Sequence, residues 1–520
     1  TGTGLVHSAP GCGPEDQEAC EPYDIKPFNT LSEQGILENL GKYSGWKAKI
    51  DDGLFIEEFN KKKILLGTEK VRHEYPHSWR SHKPVVFRTT EQWFLKTQDL
   101  SRHLLKYNKE VHWVPKKAGE SHESWTENLK DNGVTRQRYW GCPVPIWINQ
   151  DDEKDFLVIG SAEELENLTG KKFDDLSIHR PWIDKVLIKQ NGKIYKRISD
   201  VADVWIDSGT TSWNCLYNDP KLIAKFFPAD LVLEATEQTH LWFSLLQICS
   251  AVMFDKTSFE NAYVHGMILD YQGTKMSKSL GNVISPYEVI DKYSADIFRY
   301  YMCQTNAGEN VNFTWEDIKQ KQRNLIVLEN TKKYLSDLKS RGKLIKLTNL
   351  SIEEKYILSK ANSALKRVTD LFNDYELDKT ISIIEELYLE LSRTYIKLTI
   401  DKSNDSGTID IVISAILDVY KKILIMFSTV CPFITEYIWQ ELRAKNLVKE
   451  ESIFLAEWPE FDANLIDENL EKAMEEVKSK LQEVLAQRDK VKIGVRWPLP
   501  NVLISLEDTK SLESFERLAK

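Results

Sequence analysis

The stretch that most constrains this chain is Gly273 to Pro286, GTKMSKSLGNVISP, together with the apolar run that feeds it. Glycines stand on both sides, Gly273 and Gly281, and glycine reaches backbone angles that other residues avoid, so the segment can close over a ligand. Lys275 and Lys278 are compact charges on flexible stems, suited to the oxygens of a triphosphate. The plain alternative is a solvated Lys/Ser surface loop. Upstream, Val264 to Asp270 reads as a buried strand that delivers this loop, and within it His265 could be a satisfied core histidine. A second apolar run, Leu231–Leu233, ends at polar Glu234. That pattern predicts a buried parallel strand with ligand groups at its carboxyl end. The fold class that follows is multidomain α/β with an all-α portion.

The rest of the chain sets bounds on this reading. Its 520 residues suggest about three or four domains. With 42% hydrophobic and 28% charged residues it is globular rather than disordered. The most apolar stretch, Ile409 to Cys431, is interrupted by Asp410, Asp418, Lys421 and Lys422, so no bilayer span is expected. Seven cysteines form no CxxC pair, which disfavours disulfide frameworks and cysteine-rich zinc sites and suits a reducing cytoplasm. The net charge of −10 argues weakly against a nucleic-acid partner, because a large acidic body can carry a local basic stripe. The chain opens TGTGLVH, without methionine or signal peptide, and reads as a piece of something longer.

Several segments bear chemistry. Gly2 to Pro10, then Gly11, Gly13, Glu15 and Asp16, form a glycine-punctuated loop with one histidine, His7, and the carboxylate of Asp16. Between Tyr75 and Leu100, His73, His77 and His82 lie near Ser78 and Ser81; serine is a poor zinc ligand, so these read as loop residues. The alternation in Pro84–Arg88 predicts a strand. Arg136 and Arg138 beside Tyr139 and Trp140 either contact RNA or pin a buried turn. Residues 151–200, rich in charge and turns, look like an insertion of strands and short helices. Trp205 and Trp242 flank a carboxylate pair, Glu234 and Glu237, which favours a pocket over simple core filling. From about Ile318 the pattern is helical. Ser351 and Glu354 form a capping box, with Ile357, Ala361, Ala364, Val368 and Leu371 at helical spacing behind it. Further helices are expected over Ile383–Ile396 and Ile411–Phe427, then, past Pro432, over Phe433–Leu442, and through Leu470, Met474, Val477, Leu481 and Val484. Nine basic and four acidic residues lie between Glu316 and Lys346, a surplus that suits an RNA backbone.

The five letters KMSKS match the signature loop of class I aminoacyl-tRNA synthetases. The segments VTRQRYWG, DVWIDSG, EATEQTHLWF and CPFITEYIWQ resemble, nearly continuously to about Asn501, the isoleucyl-tRNA synthetase family. The resemblance implies ATP-dependent activation of isoleucine, transfer to tRNA(Ile), and hydrolytic editing of mischarged valine, in a cytoplasmic and monomeric enzyme. It implies roles residue by residue. Lys275 and Lys278 are catalytic. Glu234, Glu237, Gln238, His265, Met276, Ser277 and Ser279 hold ATP or the adenylate. Trp205 and Trp242 wall the isoleucine pocket, and His7 and Asp16 line an editing site. Cofactors are ATP with substrate-bound Mg2+; zinc is not supported. This chain departs from the family pattern at Ala235 (for glycine), Glu237 (aspartate), His240 (arginine) and Leu241 (glycine).

The implied architecture is the second half of a Rossmann-like catalytic domain with the KMSKS loop, a partial editing β-barrel and a C-terminal anticodon-binding helical bundle. The expected division is 1–75 editing, 76–270 catalytic with insertions, 271–318 loop and connection, 319–450 bundle, and 451–520 a C-terminal helix with a small α/β junction. The family's His-x-Gly-His motif and threonine-rich editing strand are absent from these 520 residues. The chain therefore reads as roughly the C-terminal two-thirds of such an enzyme, inactive on its own. The rival class is a non-catalytic tRNA-binding fragment or degenerate paralogue.

Overall fold

A computed structural model describes residues 4–78, 81, 83–217, 219–278, 280–494, 497–499 and 501. His82 and Ser279 lie outside the described residues. The chain separates into two compact units, Thr1–Leu95 with Asn132–Ala202, and Lys96–Asp131 with Asp203–Lys520.

The first unit is built around a four-stranded antiparallel sheet in the order Asp152–Val158, Ile146–Asn149, Lys193–Arg197, Leu187–Gln190. Trp147, Ile188 and Tyr195 point from the sheet into a small core closed by Leu165 of helix Ala162–Thr169. The Trp147 indole N–H is satisfied there by the Val186 carbonyl at 3.0 Å. Residues 151–200 thus carry the expected strands and short helices. Ahead of Phe94, the described residues contain helices Pro14–Cys20 and Asp52–Lys61 and isolated bridges such as Leu31 to Leu37, but no strand. The strand expected at Pro84–Arg88 is likewise a single bridge, His77 to Pro84, because no neighbouring backbone runs alongside it for longer.

The second unit begins from a parallel three-stranded sheet, ordered Ala229–Ala235, Phe259–His265, His112–Val114. Helix Trp242–Phe254 links the first two strands and is apolar all round, as a helix buried on both sides must be. Phe243 and Leu246 meet Val232, Phe259, Ala262 and Val264 of the sheet, while Leu245 and Ile248 meet Leu104 and Tyr107 of helix Ser101–Glu110. The Leu231–Leu233 run is parallel as expected but buried on one face only: Val232 is in the core, whereas Leu231 and Leu233 are exposed. The strand expected through Val264–Asp270 is two strands. It breaks at Gly266, where a Cβ would collide with the Glu309 backbone, and restarts as Ile268–Leu269 paired with Val311–Asn312.

Beyond it the unit is helical: Pro286–Lys292, Ala295–Met302, Trp315–Arg341, Ile352–Asn373, Thr380–Glu390, Ile409–Ser428, Pro432–Ala444 and Glu468–Lys490. All but the last contribute to one continuous core that runs from Val289 to Ile453. Ile409–Ser428, the most apolar stretch of the chain, is its central helix, with fourteen buried residues. Among the described residues no helix is long and apolar enough to cross a membrane. Pro432 sits in the first turn of its helix, where its missing N–H costs nothing. Ser351 does stand at the N-cap of Ile352–Asn373, but the capping box is not formed. Its hydroxyl donates to the Glu354 carboxylate instead of accepting a backbone amide, and Lys402 joins the pair at 3.1 Å.

One buried group makes acid stability measurable. His122, 1% exposed, donates from Nδ1 to Asn108 Oδ1 at 3.0 Å, and its Nε2 has no hydrogen-bond partner among the described residues. Burial, with His240 nearby, lowers its pKa from 6.5 to about 4. The unfolded chain therefore binds more protons than the folded one between those values. Stability from this residue is complete above pH 6.5 and is lost as pH falls towards 4, by about 3 kcal/mol in all. In urea titrations, His122→Gln should show a shallower acid slope than wild type over that window; equal slopes would remove His122 as the cause.

Candidate active site

The parallel register places the candidate residues at one end of the sheet. Glu234 and Ala235 close strand Ala229–Ala235, and Ala235 lies opposite His265, the last residue of its neighbour. Open α/β sheets bind ligands at this carboxyl end. The Glu234 carboxylate accepts the amide of Ala235 at 2.7 Å and is half-buried. The chain then makes a 3-10 turn, Thr236–His240, which leaves Glu237 exposed and buries the Gln238 Oε1 atom with no hydrogen-bond partner among the described residues. A buried carbonyl oxygen with no donor is costly unless a ligand or water supplies one. His265 Nδ1 lies 2.7 Å from the Gly266 carbonyl, which can only accept, so Nδ1 carries the proton.

Trp205 and Trp242 come from elements that pack together. Asp203 caps helix Val204–Ser208 by accepting the Trp205 amide at 2.7 Å. Trp242 opens the helix behind the 3-10 turn and donates its indole N–H to the Ser208 carbonyl at 3.0 Å. Gly209 is required between them: a Cβ there would lie 2.9 Å from Cys249 Sγ and 3.0 Å from the Trp205 carbonyl.

Two of the four departures from the family pattern, Ala235 and His240, have a visible local basis. Ala235 has φ −78° and ψ 164°, ordinary extended backbone that does not demand glycine. His240 stacks on Trp125, ring centroids 5.0 Å apart, and its Nε2 lies 2.9 Å from Ser121 Oγ.

The Gly273–Pro286 loop is tied at its neck by two residues whose part in it the sequence did not disclose. Asp270 Oδ1 accepts the amides of Gln272 at 2.9 Å and Thr274 at 2.8 Å, and its Oδ2 accepts Asn282 Nδ2 at 2.8 Å. Asn282 Oδ1 in turn accepts the Ser277 amide at 2.9 Å. Asn282 and the Thr274 amide hold the Asp270 carboxyl below the usual carboxylate range, against the opposing effect of burial. An aspartate bonding amides two and four residues ahead is a turn signal that the sequence does contain. Gly273 (φ +78°) and Gly281 (φ +67°) take the left-handed angles of the bends. Met276 and Ser277 are half-buried, the Met276 sulfur accepting the Ile284 amide at 3.5 Å. Lys275 and Lys278 are exposed and make no ion pair among the described residues. Such an arrangement offers two uncommitted ammonium groups on a fixed base.

In the first unit, Asp16 lies in the first turn of helix Pro14–Cys20 rather than in a loop, and its carboxylate accepts the Ser8 hydroxyl at 2.9 Å. His7 is exposed next to Ser8. Arg136 donates to the carbonyls of Gly133 and Thr135, the turn-pinning alternative, while Arg138 is exposed. No group of three or more His, Cys, Asp or Glu side chains gathers as a metal site among the described residues.

Comparison with known proteins places this geometry. Residues 18–314 match the family model for tRNA synthetases class I (I, L, M and V), and residues 354–503 match the anticodon-binding domain of tRNA ligase. The isoleucine–tRNA ligase of Methanopyrus kandleri is 34% identical over 99% of this chain and 51% of its own length; that of Thermococcus kodakarensis is 35% identical over 99% and 52%. The chain thus spans about half the length of the curated relatives it matches, less than the two-thirds expected. Among solved structures, its fold resembles the LeuRS–tRNA–LeuAMS ternary complex of Agrobacterium radiobacter (TM-score 0.50, 21% identity, 65% of this chain and 44% of that one). It also resembles Mycobacterium tuberculosis methionyl-tRNA synthetase bound by methionyl-adenylate (TM-score 0.51, 15% identity, 72% and 69%). A Rossmann-like sheet followed by a helical anticodon-binding domain, with a family match over residues 18–314, makes this chain a member of the class I tRNA synthetases.

Proposed function

We propose that the protein is an isoleucine–tRNA ligase, with the carboxyl end of the parallel sheet and the loop anchored on Asp270 as its catalytic half-site. The observation that carries the reading is the loop itself: two exposed lysines without ion pairs, on a turn fixed by Asp270 and Asn282. The names of the relatives support isoleucine as the amino acid.

In this reading the carboxylate of isoleucine attacks the α-phosphate of ATP, an α-phosphate–oxygen bond forms, and pyrophosphate leaves with the electron pair of the broken bond. ATP arrives as its magnesium complex, and the ion adds charge neutralisation to the phosphates. Lys275 and Lys278 balance the charge that grows on pyrophosphate, and Ser277 and Ser279 donate hydrogen bonds to it. Glu234, Glu237 and Gln238 hold the adenylate and its ribose, with His265 and Met276 against the nucleotide. Trp205 and Trp242 receive the isoleucine side chain. No protein nucleophile is needed, so catalysis is positioning plus electrostatic stabilisation. The isoleucyl group then passes from the adenylate to a terminal ribose hydroxyl of tRNA(Ile), held by the helical bundle: an ester bond forms, the hydroxyl loses its proton, and AMP leaves with the electron pair of the broken acyl–oxygen bond. The division of the chain at about residues 75, 270, 318 and 450 is part of the same proposal.

We place hydrolytic editing at His7 and Asp16. The isoleucine/valine pair is the well-known case for these enzymes: one methylene gives only about 1–3 kcal/mol of discrimination, so a second sieve is required. An aspartate half-buried in a first helical turn and bonded to Ser8 suits an ammonium group.

In the full-length protein, Lys278→Ala should lower kcat for isoleucine-dependent ATP–pyrophosphate exchange by about 2–4 kcal/mol of transition-state stabilisation, roughly 30- to 1,000-fold, with isoleucine binding little changed. Exchange at the wild-type rate would sink the catalytic assignment. Asp16→Ala should leave isoleucine charging intact while valyl-tRNA accumulates; deacylation of valyl-tRNA at the wild-type rate would take Asp16 out of editing.

A further inference from the structure

The short helix Ala295–Met302 follows the loop and joins the core of the bundle. Two of its polar residues, Asp296 and Arg299, face the break between helices Ile409–Ser428 and Pro432–Ala444. Asp296 is 4% exposed. Its carboxylate accepts the amides of Ile434 at 2.6 Å and Phe433 at 3.4 Å, the free first-turn amides of Pro432–Ala444. That helix has no side-chain cap of its own, and Pro432 has no N–H to offer. Arg299 donates from Nε to the Val430 carbonyl at 2.8 Å and from Nη2 to Thr429 at 3.4 Å, just past the end of Ile409–Ser428. One helix thus presents an anion to the positive end of one neighbour and a cation to the negative end of the other, from positions three apart on a single face.

The same helix is held on its other side. Tyr300, fully buried, donates to Glu385 and lies 2.8 Å from the Tyr388 hydroxyl. Glu385 also accepts Gln304 at 3.3 Å, Lys321 at 3.1 Å and Asn324 at 2.7 Å, so two helices of the bundle, Trp315–Arg341 and Thr380–Glu390, meet the segment that follows the loop at one carboxylate. Leu, Ile or Val would fill this volume without desolvating charge. Polar groups aimed at helix ends add what apolar packing lacks, a fixed direction and register.

We propose that Asp296 and Arg299 are positioning residues: by clamping the loop-bearing helix to the helix break of the bundle, they set where bound tRNA meets the catalytic half-site. Neither touches a substrate. RNA held on the bundle must deliver its end to the loop, and a displacement of about 1 Å far from the chemistry can cost 100-fold. Adenylate formation, which needs no RNA, does not depend on the clamp.

The proposal rests on the aminoacylation reading above, and its test separates the two. In the full-length protein, Asp296→Asn and Arg299→Leu should keep isoleucine-dependent ATP–pyrophosphate exchange within twofold of wild type. Charging of a tRNA(Ile) transcript should fall at least tenfold in kcat/KM, and affinity for that transcript should fall about tenfold. Arg299→Lys, which keeps one cationic donor for the Val430 carbonyl, should hold charging within threefold. Exchange and charging falling in parallel, with a lowered melting temperature, would make the clamp merely structural and overturn the proposal; so would unchanged charging in both variants. If Asp296→Asn does not fold, the contrast between Arg299→Leu and Arg299→Lys decides. Absence of exchange in wild type would instead sink the catalytic reading, and the loss of tRNA affinity at unchanged melting temperature would still report on the clamp.

Discussion

Asp270 determines whether the lysine-bearing stretch is a shaped loop or a length of solvated chain. Its carboxylate takes two amides from the bend it begins and one from Asn282 at the far side, and Asn282 passes the constraint on to Ser277. The loop is then registered to Ile268–Leu269, that strand to Val311–Asn312, and the next residues to the long helix, whose N-cap Thr314 accepts the Asp317 amide at 3.3 Å. A hydrogen-bonded path therefore runs from the loop to the bundle with little free chain in it. Removing one member of such a set leaves a buried partner unsatisfied, at a cost of about 1–3 kcal/mol. Loop geometry is for this reason tied to the start of the long helix, independently of the contacts made by Asp296 and Arg299.

What the sequence disclosed follows the range of the interaction involved. Helical faces are local, and Ile357, Ala361, Val368 and Leu371 are buried on the helix their spacing predicts. The helix expected from Leu470 to Val484 forms as Glu468–Lys490, yet only its first half is buried, and Leu481 is exposed. Spacing says which residues share a face; it does not say how far a partner extends. The carboxyl-end placement of Glu234 was legible because an apolar run ending in a polar residue is itself a local pattern, whereas His265, expected inside a strand running on to Asp270, is the last residue of its own. The misread features depend on partners distant in sequence: Leu231 and Leu233 lack a covering layer, Pro84–Arg88 lacks a pairing strand, and Ser351 is drawn from its amide to Glu354 by Lys402. Asp296, buried, and Glu385, half-buried, take their places because other helices bring donors to them.

The departures at 235–241 bear on the same point. Replacement of an arginine by His240 looks like decay when read along the chain. In space, the imidazole lies against Trp125 and Ser121 of helix Lys116–Glu127, so the 3-10 turn carrying Glu237 and Gln238 is seated on that helix by a stacked pair. A flat ring can be fixed by stacking where a long guanidinium stem would need several acceptors. The turn is thus seated by a contact with a helix distant in sequence, which the substitution read along the chain does not disclose.

Charge on the bundle presents a further constraint. Of the nine basic residues between Glu316 and Lys346, six make ion pairs: Lys319 and Arg323 with Glu316, Lys321 with Glu385, Lys332 with Glu441, Lys333 with Glu329 and Arg341 with Asp337. Two of these partners, Glu385 and Glu441, come from other helices, so the surplus in space is smaller than the linear count. The exposed pairs among them, those of Lys319, Arg323, Lys333 and Arg341, are worth about 0–1 kcal/mol each and are screened at physiological salt. Lys343 and Lys346, past the end of the helix, carry no such partner among the described residues. Under the proposed function, attraction of RNA to an acidic chain would depend on where a few cations stand relative to the helix ends, and so on the rigid attachment of those helices.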